Sequence, residues 1–222
     1  MAKRKKSTLT IANFGPIRRA GVVFGDLNVV VGPQATGKSL FFQLLKLVTD
    51  TEVICHDFLR FSTDWNNEFP DFLQLYFGEG TARLVTADTA VVHDGEPVDL
   101  VTLVKKARRA AGGKKTSAPP LEKMFYIPAQ RIMAVHDGRT RTFNSFQSGD
   151  PYVVRGFSET LHGLVQTEFS RGDSDTLFPQ SNRLNEGLRR LIGDAFFHGF
   201  DLKVARGSDL TKRLVLETQG TR

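Results

Sequence analysis

The sequence predicts an α/β fold with a parallel-sheet core, N-terminal antiparallel strands and a helical insertion. Thr8–Ala12 alternates between apolar and polar residues, as a half-buried strand does, and a second strand is expected at Ala20–Phe24. The apolar run Leu27–Val31 is rich in β-branched residues, which is typical of a parallel strand covered on both faces. A glycine-rich turn then leads into Leu40–Leu47, where leucines recur at helical spacing.

Length and composition indicate a globular chain without covalent cross-links. We expect a single lobe over residues 8–222 of the 222, behind a basic tail at 1–7. Cys55 is the only cysteine, which excludes a disulfide framework and indicates a reducing, cytoplasmic compartment. No run approaches the roughly 20 apolar residues of a spanning helix, so no membrane association is expected. The net charge of +6 permits contact with a polyanion.

The middle of the chain is expected to hold the helical insertion. Phe69–Phe77 is aromatic-rich and predicts a short helix, whereas Val98–Ala111 predicts a helix with a basic end. Between them, Arg83–Val92 is typical of a strand and His93–Pro97 of a turn. Residues 112–120 predict a loop or linker.

The second half is predicted to contain a strand, two helices and a strand pair. Met124–Pro128 is typical of a strand that its proline ends. Apolar residues recur at helical spacing over 157–168 and again over 184–195. Leu202–Ala205 and Leu214–Glu217 flank a turn and are expected to pair.

One motif in the sequence carries chemistry. Gly32–Ser39 matches G-x-x-x-x-G-K-S in full, between a predicted strand and a predicted helix, as a phosphate-binding loop requires. Gly32 and Gly37 let the backbone turn its N–H groups toward phosphate, above the positive end of the helix. Lys38 is expected to reach the β- and γ-phosphates, and Ser39 to offer its hydroxyl to Mg²⁺. The predicted nucleotide-binding residues are Gly32, Pro33, Gln34, Ala35, Thr36, Gly37, Lys38, Ser39 and Leu40.

Two parts of the chain resemble a known family. Ile11–Ile17 followed by Leu27–Ser39 resembles the N-terminal lobe of ABC-type ATPases of the SMC, RecF and OLD group. Those proteins open with a strand, a turn, a second strand and a loop of the form G-P-N-x-x-G-K-S. Gln34 stands where asparagine is usual. Phe125–Arg131 is similar to the Y-I-P-A-x-R segment of OLD-like and related AAA ATPases of defence systems.

The resemblance implies a P-loop NTPase fold that binds ATP and Mg²⁺. It implies Lys38 and Gln130 as catalytic residues, with Ser39 and Gln130 at the Mg²⁺ ion. A second ATPase chain or a homodimer is the implied partner, and DNA is a further candidate. We therefore expect Mg-ATP binding by the N-terminal part of such an ATPase, related to DNA repair or defence.

Two elements of those ATPases are missing from this sequence. There is neither an apolar strand ending in Asp-Glu nor an L-S-G-G-Q-like signature loop. The sequence thus resembles the first half of an ATPase, either shortened or completed by a partner chain, and hydrolysis by this chain alone is doubtful. Two alternatives stay open. One is a non-catalytic subunit that uses nucleotide as a switch for protein or DNA assembly, and the other is a complete ATP hydrolase with Asp94, Glu96 or Glu217 as its acid.

The remaining charged residues predict little chemistry. Basic clusters lie at 3–6, 105–115 and 139–141, and each is either a solubilising surface or a contact for DNA. Aromatic residues that could stack on bases do not lie beside the first two clusters in the sequence. The five histidines show no metal-ligand spacing, which argues against zinc.

Overall fold

The computed structural model describes residues 6–113, 120–147, 149–167, 200–206 and 212–218, the last two segments by their backbone alone. These residues form a mixed α/β fold. The chain divides into two compact units, Met1–Ile127 with Gln147–Val153, and Pro128–Phe146 with Val154–Arg222. The single lobe expected over residues 8–222 stays a prediction. Within the described ranges, no helix is both long and apolar enough to cross a membrane.

The first unit contains a four-stranded antiparallel sheet in the order β2-β1-β3-β4. Its strands are β1 (Thr8–Phe14), β2 (Ile17–Val23), β3 (Ala90–His93) and β4 (Glu96–Pro97). In the central strand β1, Ile11 pairs with Ala20 of β2 and Val91 of β3. Alternation along β1 buries Leu9 and Ile11 completely. The two N-terminal strands therefore pair antiparallel, as the sequence predicts, whereas β3 is shorter than the predicted 83–92.

The segment Leu27–Val31 is not the buried strand that its composition predicts. It pairs with no strand among the described residues, and Leu27 and Val31 are each 84% exposed. The side chain of Asn28 exchanges hydrogen bonds with the backbone of Gly25, which folds the start of the segment on itself. An apolar run joins a parallel sheet only when strands from elsewhere in the chain lie beside it. The strand prediction is wrong here, and the parallel-sheet core stays a prediction.

The described part of the first unit contains the helices α1 (Lys38–Arg60), α2 (Phe69–Phe77) and α3 (Leu100–Ala111). Helix α1 packs against α3 and runs well beyond the predicted 40–47. Phe58 of α1 lies in an aromatic core, edge-on to Trp65, Phe72 and Tyr152. Helix α3 begins at the cap Asp99, whose carboxylate accepts the Val101 N–H at 3.0 Å. The helices predicted at 69–77 and 98–111 are confirmed.

A buried ion pair in α1 holds the chain that follows α3. Lys46 and Asp50 lie one turn apart and form a 2.8 Å salt bridge, with side chains 3% and 1% exposed. The Asp50 carboxylate also accepts the N–H groups of Lys123 and Met124, both at 2.9 Å. The Lys46 ammonium donates to Glu122 and to the Met124 carbonyl. The strand predicted at 124–128 is absent. Its first residue, Met124, bonds through its N–H and carbonyl groups to the side chains of Asp50 and Lys46 instead of to a neighbouring strand.

The second unit contains a short hairpin, most of a helix and a strand pair. The hairpin joins β5 (Val135–His136) to β6 (Arg139–Thr140). Helix α4 (Tyr152–Thr167) fits the helix predicted at 157–168, and its Ser158 hydroxyl donates to the Arg141 carbonyl at 2.6 Å. Strands β7 (Phe200–Arg206) and β8 (Lys212–Thr218) pair antiparallel, which confirms the predicted pair. The helix predicted over 184–195 lies outside the described residues.

Candidate functional site

The glycine-rich loop lies against the turn between β1 and β2. Gly37 precedes α1 with φ at 88°, a left-handed conformation. A Cβ atom at this position would lie 2.6 Å from Ile17 Cγ1 and 3.2 Å from Pro16 Cγ. Both the backbone conformation and the filled space exclude a larger residue. Gly37 therefore places the start of α1 at the end of the sheet where β1 passes into β2.

The Lys38 ammonium lies inside the curve of the loop. It donates to the carbonyl oxygens of Gly32 at 2.9 Å and Pro33 at 2.5 Å, and lies 3.3 Å from Thr36 Oγ1. The Thr36 hydroxyl in turn donates to the Pro33 carbonyl at 2.9 Å. The loop thus closes around a cation that is held by neutral oxygens. A charged phosphate oxygen makes stronger hydrogen bonds with an ammonium than a carbonyl does, so an anion would compete well for Lys38.

The N-terminus of α1 opens toward the loop without a side-chain cap. In the described part of the chain no side chain forms a capping hydrogen bond with it, and its first turn contains no acidic residue. The first N–H groups of a helix have no acceptor within the helix, and they carry the positive end of its dipole. Ser39 is exposed in this turn, and Leu40 beside it is half-buried. Backbone donors, a cation and a hydroxyl therefore lie together at this turn, and such a set can bind an anion.

The loop also contains one residue with a strained backbone. Ala35 has φ at 61°, in the left-handed region that side chains other than those of glycine, asparagine and aspartate rarely occupy. Such a conformation costs about 1–2 kcal/mol for an alanine. Strained residues of this kind cluster at ligand sites, where the surrounding contacts maintain them.

Two carboxylates that the sequence offers as catalytic acids lie far from this loop. The Asp94 carboxylate accepts hydrogen bonds from the Ser7 hydroxyl and from the Thr8 N–H, both at 2.8 Å, beside the start of β1. The loop packs on the turn beyond the other end of that strand. The two ends of β1, which has seven residues, are six steps of about 3.3 Å apart. About 20 Å therefore separates Asp94 from the turn on which the loop packs. Asp94, and Glu96 in the same hairpin, are therefore too distant to act with Lys38, whereas the Glu217 side chain lies outside the description.

Gln130, the other residue to which the resemblance gives a role, belongs to the second unit. Gln130 is exposed and precedes the 3₁₀ turn Arg131–Ala134. Its backbone carbonyl accepts the Met133 N–H at 2.9 Å. Its predicted roles in catalysis and at Mg²⁺ stay predictions. Within the described residues, no group of three or more His, Cys, Asp and Glu side chains could hold a metal ion.

The basic cluster of α3 has an aromatic neighbour that the sequence does not reveal. The guanidinium of Arg108 lies over the ring of Trp65, 4.4 Å from its centre. It also donates to the Asp64 carboxylate at 2.8 Å, across 44 positions of the chain. Only the fold brings these segments together, so spacing along the sequence could not show the contact. Residues 3–5 and 114–115 of the basic clusters lie outside the description.

Comparison with known proteins adds no relative. No family model, curated protein or solved structure matches the chain. The resemblance to ABC-type ATPases of the SMC, RecF and OLD group rests on the residues themselves and stays a prediction.

Proposed function

We propose that the loop Gly32–Ser39 binds the phosphates of Mg-ATP, as in the N-terminal lobe of SMC, RecF and OLD-group ATPases. The observation that carries this proposal is the position of Lys38. Its ammonium lies within a loop that ends at a helix without a side-chain cap, and among the residues that the structure describes only neutral oxygens hold it there. Lys38 would exchange these carbonyls for oxygens of the β- and γ-phosphates. The first N–H groups of α1 would bind the same phosphates.

The Mg²⁺ ion would supply charge neutralisation between the phosphates, and Ser39 would be its protein ligand. A serine hydroxyl suits this ion, which takes oxygen ligands and retains several of its waters. In the described residues, neither Asp94 nor Glu96 can provide a second ligand, because both lie at the far end of β1. We therefore propose binding without efficient hydrolysis by this chain alone.

An isothermal titration with Mg-ATP tests the nucleotide site. We expect saturable binding by the wild type, and a loss of about a hundredfold in affinity in Lys38→Ala, because a charge-assisted contact to phosphate disappears. Lys106→Ala is the control, since Lys106 is an exposed lysine of α3 away from the loop. Equal binding by wild type and Lys38→Ala would contradict the proposal. A parallel phosphate-release assay distinguishes binding from turnover.

The exposed segment before the loop favours a second role, as a nucleotide-switched subunit in assembly. Leu27 and Val31 present apolar side chains to solvent directly before the phosphate loop. A backbone segment without strand partners can pair with a strand of another chain. Bound nucleotide would contact the loop that directly follows this segment, so binding and assembly would be coupled. The partner would be a second ATPase chain or a second copy.

Light scattering measures the molar mass of the assembly with and without Mg-ATP. The chain alone tests association with a second copy, and a mixture with a second ATPase chain tests that partner. We expect a nucleotide-dependent increase in mass that Val31→Asp abolishes. Leu121→Asp is the matched control, because Leu121 is also 84% exposed and lies outside the segment. An increase that survives in Val31→Asp, or that Leu121→Asp removes as well, would refute a specific role of Leu27–Val31.

A further inference from the structure

A second concave site lies in the first unit, beside helix α3. It is a cavity of about 520 Å³ between that helix and the segment that precedes α2. Trp65, Phe69, Val101 and Val104 provide apolar walls. A volume of this size is within the range of about 300–1,000 Å³ that small-molecule sites occupy. No residue of the phosphate loop lines it.

Cations form the rim of this cavity. Lys105 and Arg109 lie one helical turn apart on α3, and both are exposed. Neither of them forms a salt bridge with a carboxylate in the described part of the chain. Gly112 and Gly113 follow at the end of the helix and add no side chain that would cover the opening. The two positive charges therefore line the cavity without a salt-bridged carboxylate among the described residues.

Arg108 adds a third positive charge that is only partly satisfied. One terminal nitrogen, Nη2, donates to Asp64, and the guanidinium lies over Trp65. The other, Nη1, is buried and has no hydrogen-bond partner among the described residues. A buried donor without an acceptor is unfavourable, so the single contact with Asp64 leaves part of the hydrogen-bonding capacity of Arg108 unused beside the cavity.

The charge of this site contrasts with that of its neighbour. No carboxylate lines the 520 Å³ cavity. A second cavity of about 490 Å³ shares Trp65 as a wall and is lined by Asp64, Asp71, Glu79 and Asp150. The anion preference of the first cavity therefore rests on its own lining cations, Lys105, Arg108 and Arg109.

We propose that the cavity beside α3 binds an organic anion with an aromatic body and a carboxylate or phosphate group. The apolar walls would take the ring, because removing apolar surface from water is favourable. Lys105 and Arg109 would bind the anionic group at the mouth, where charge-assisted hydrogen bonds form. This proposal is independent of the nucleotide site.

Calorimetric titrations with phenyl phosphate and benzoate test the site. Benzyl alcohol serves as the neutral analogue and benzylamine as the cationic one. Trp65 is the only tryptophan, so a change in its emission during the titration places the ligand at one of the two cavities that share this ring, and the Lys105 and Arg109 variants below distinguish the two. We expect the anions to bind saturably and the alcohol and amine to bind at least about tenfold more weakly. The anion that binds more tightly identifies the phosphate or the carboxylate as the preferred group.

Charge variants of α3 provide the decisive comparison. We expect Lys105→Gln and Arg109→Gln each to weaken anion binding by about tenfold, because each removes one charge at the mouth. Lys106→Gln, an exposed neighbour that does not line the cavity, should bind as the wild type does. Lys38→Ala should leave the binding detected through Trp65 emission unchanged, which separates this site from the phosphate loop. Unfolding temperatures confirm that the variants fold.

Several results would overturn the proposal. These are the absence of binding heat with both anions, benzyl alcohol binding as tightly as phenyl phosphate, or an equal loss in Lys106→Gln and Lys105→Gln. Binding that leaves Trp65 emission unchanged would place the ligand elsewhere and would refute this cavity as the site. Loss of nucleotide binding in Lys38→Ala with anion binding retained would support two separate sites.

Discussion

Replacing Lys46 with methionine should destabilise the first unit strongly. Methionine keeps the length of the buried stem but removes the ammonium that neutralises Asp50 at 2.8 Å. Asp50 would keep two N–H donors, from Lys123 and Met124, but would lose its buried cation. Removing one partner of a buried pair typically costs about 3–5 kcal/mol, so we expect Lys46→Met to lower the free energy of unfolding by that amount.

The same cluster contains its own control. Glu122 also accepts a hydrogen bond from Lys46, but its side chain is 40% exposed. Water can replace that contact, so Glu122→Gln should cost no more than about 1 kcal/mol. Urea unfolding followed by Trp65 emission measures both variants. A loss below about 1 kcal/mol in Lys46→Met, or equal losses in the two variants, would refute the view that the buried pair anchors residues 122–124.

Three further predictions concern other residues of the first unit. Burial raises the pKa of the Asp57 carboxyl in the folded chain. The contribution of this residue to stability is therefore fully present at low pH and is lost as pH rises through the raised pKa. Asp57→Asn should raise Tm more at pH 7 than at pH 4, and the opposite order would contradict this reasoning. Cys55 is fully buried and burial raises the pKa of its thiol to about 12, so a maleimide should label the folded chain at least about a hundredfold more slowly than the urea-unfolded chain; comparable rates would contradict this burial. Gly37→Ala should lower the free energy of unfolding by about 2–5 kcal/mol, because it adds backbone strain and a clash with Ile17. Gly80 also has a positive φ (81°) but has open space around it, so Gly80→Ala should cost only about 1–2 kcal/mol. Equal losses in the two variants would refute the clash.

Local sequence signals predict the elements that depend on local physics. The aromatic segment 69–77 and the segment 98–111 become helices, because periodicity and an Asp99 cap act within a few residues. The pair β7–β8 forms where two β-rich segments lie close together in the sequence. The position of Gly37 is likewise predictable, since the turn into α1 needs its left-handed conformation.

Elements that depend on distant partners could not be predicted in this way. Leu27–Val31 has the composition of a central strand, but pairing needs neighbouring strands, and composition does not say whether they are present. Lys46 and Asp50 look like an ordinary surface pair of a helix, four positions apart. Only the fold shows that they are buried and hold residues 122–124. The contact of Arg108 with Trp65 has the same origin, because the two lie on separate segments.

The inward position of Lys38 has a consequence for how the loop responds to its surroundings. Because the ammonium already bridges Gly32 and Pro33, the loop keeps its curvature before any anion arrives. Under the proposed function, ligand entry would require one side chain to change partners, with no need to rebuild the backbone. Capture and release would then both be rapid, and salt in the medium would set the affinity by screening the charge of Lys38.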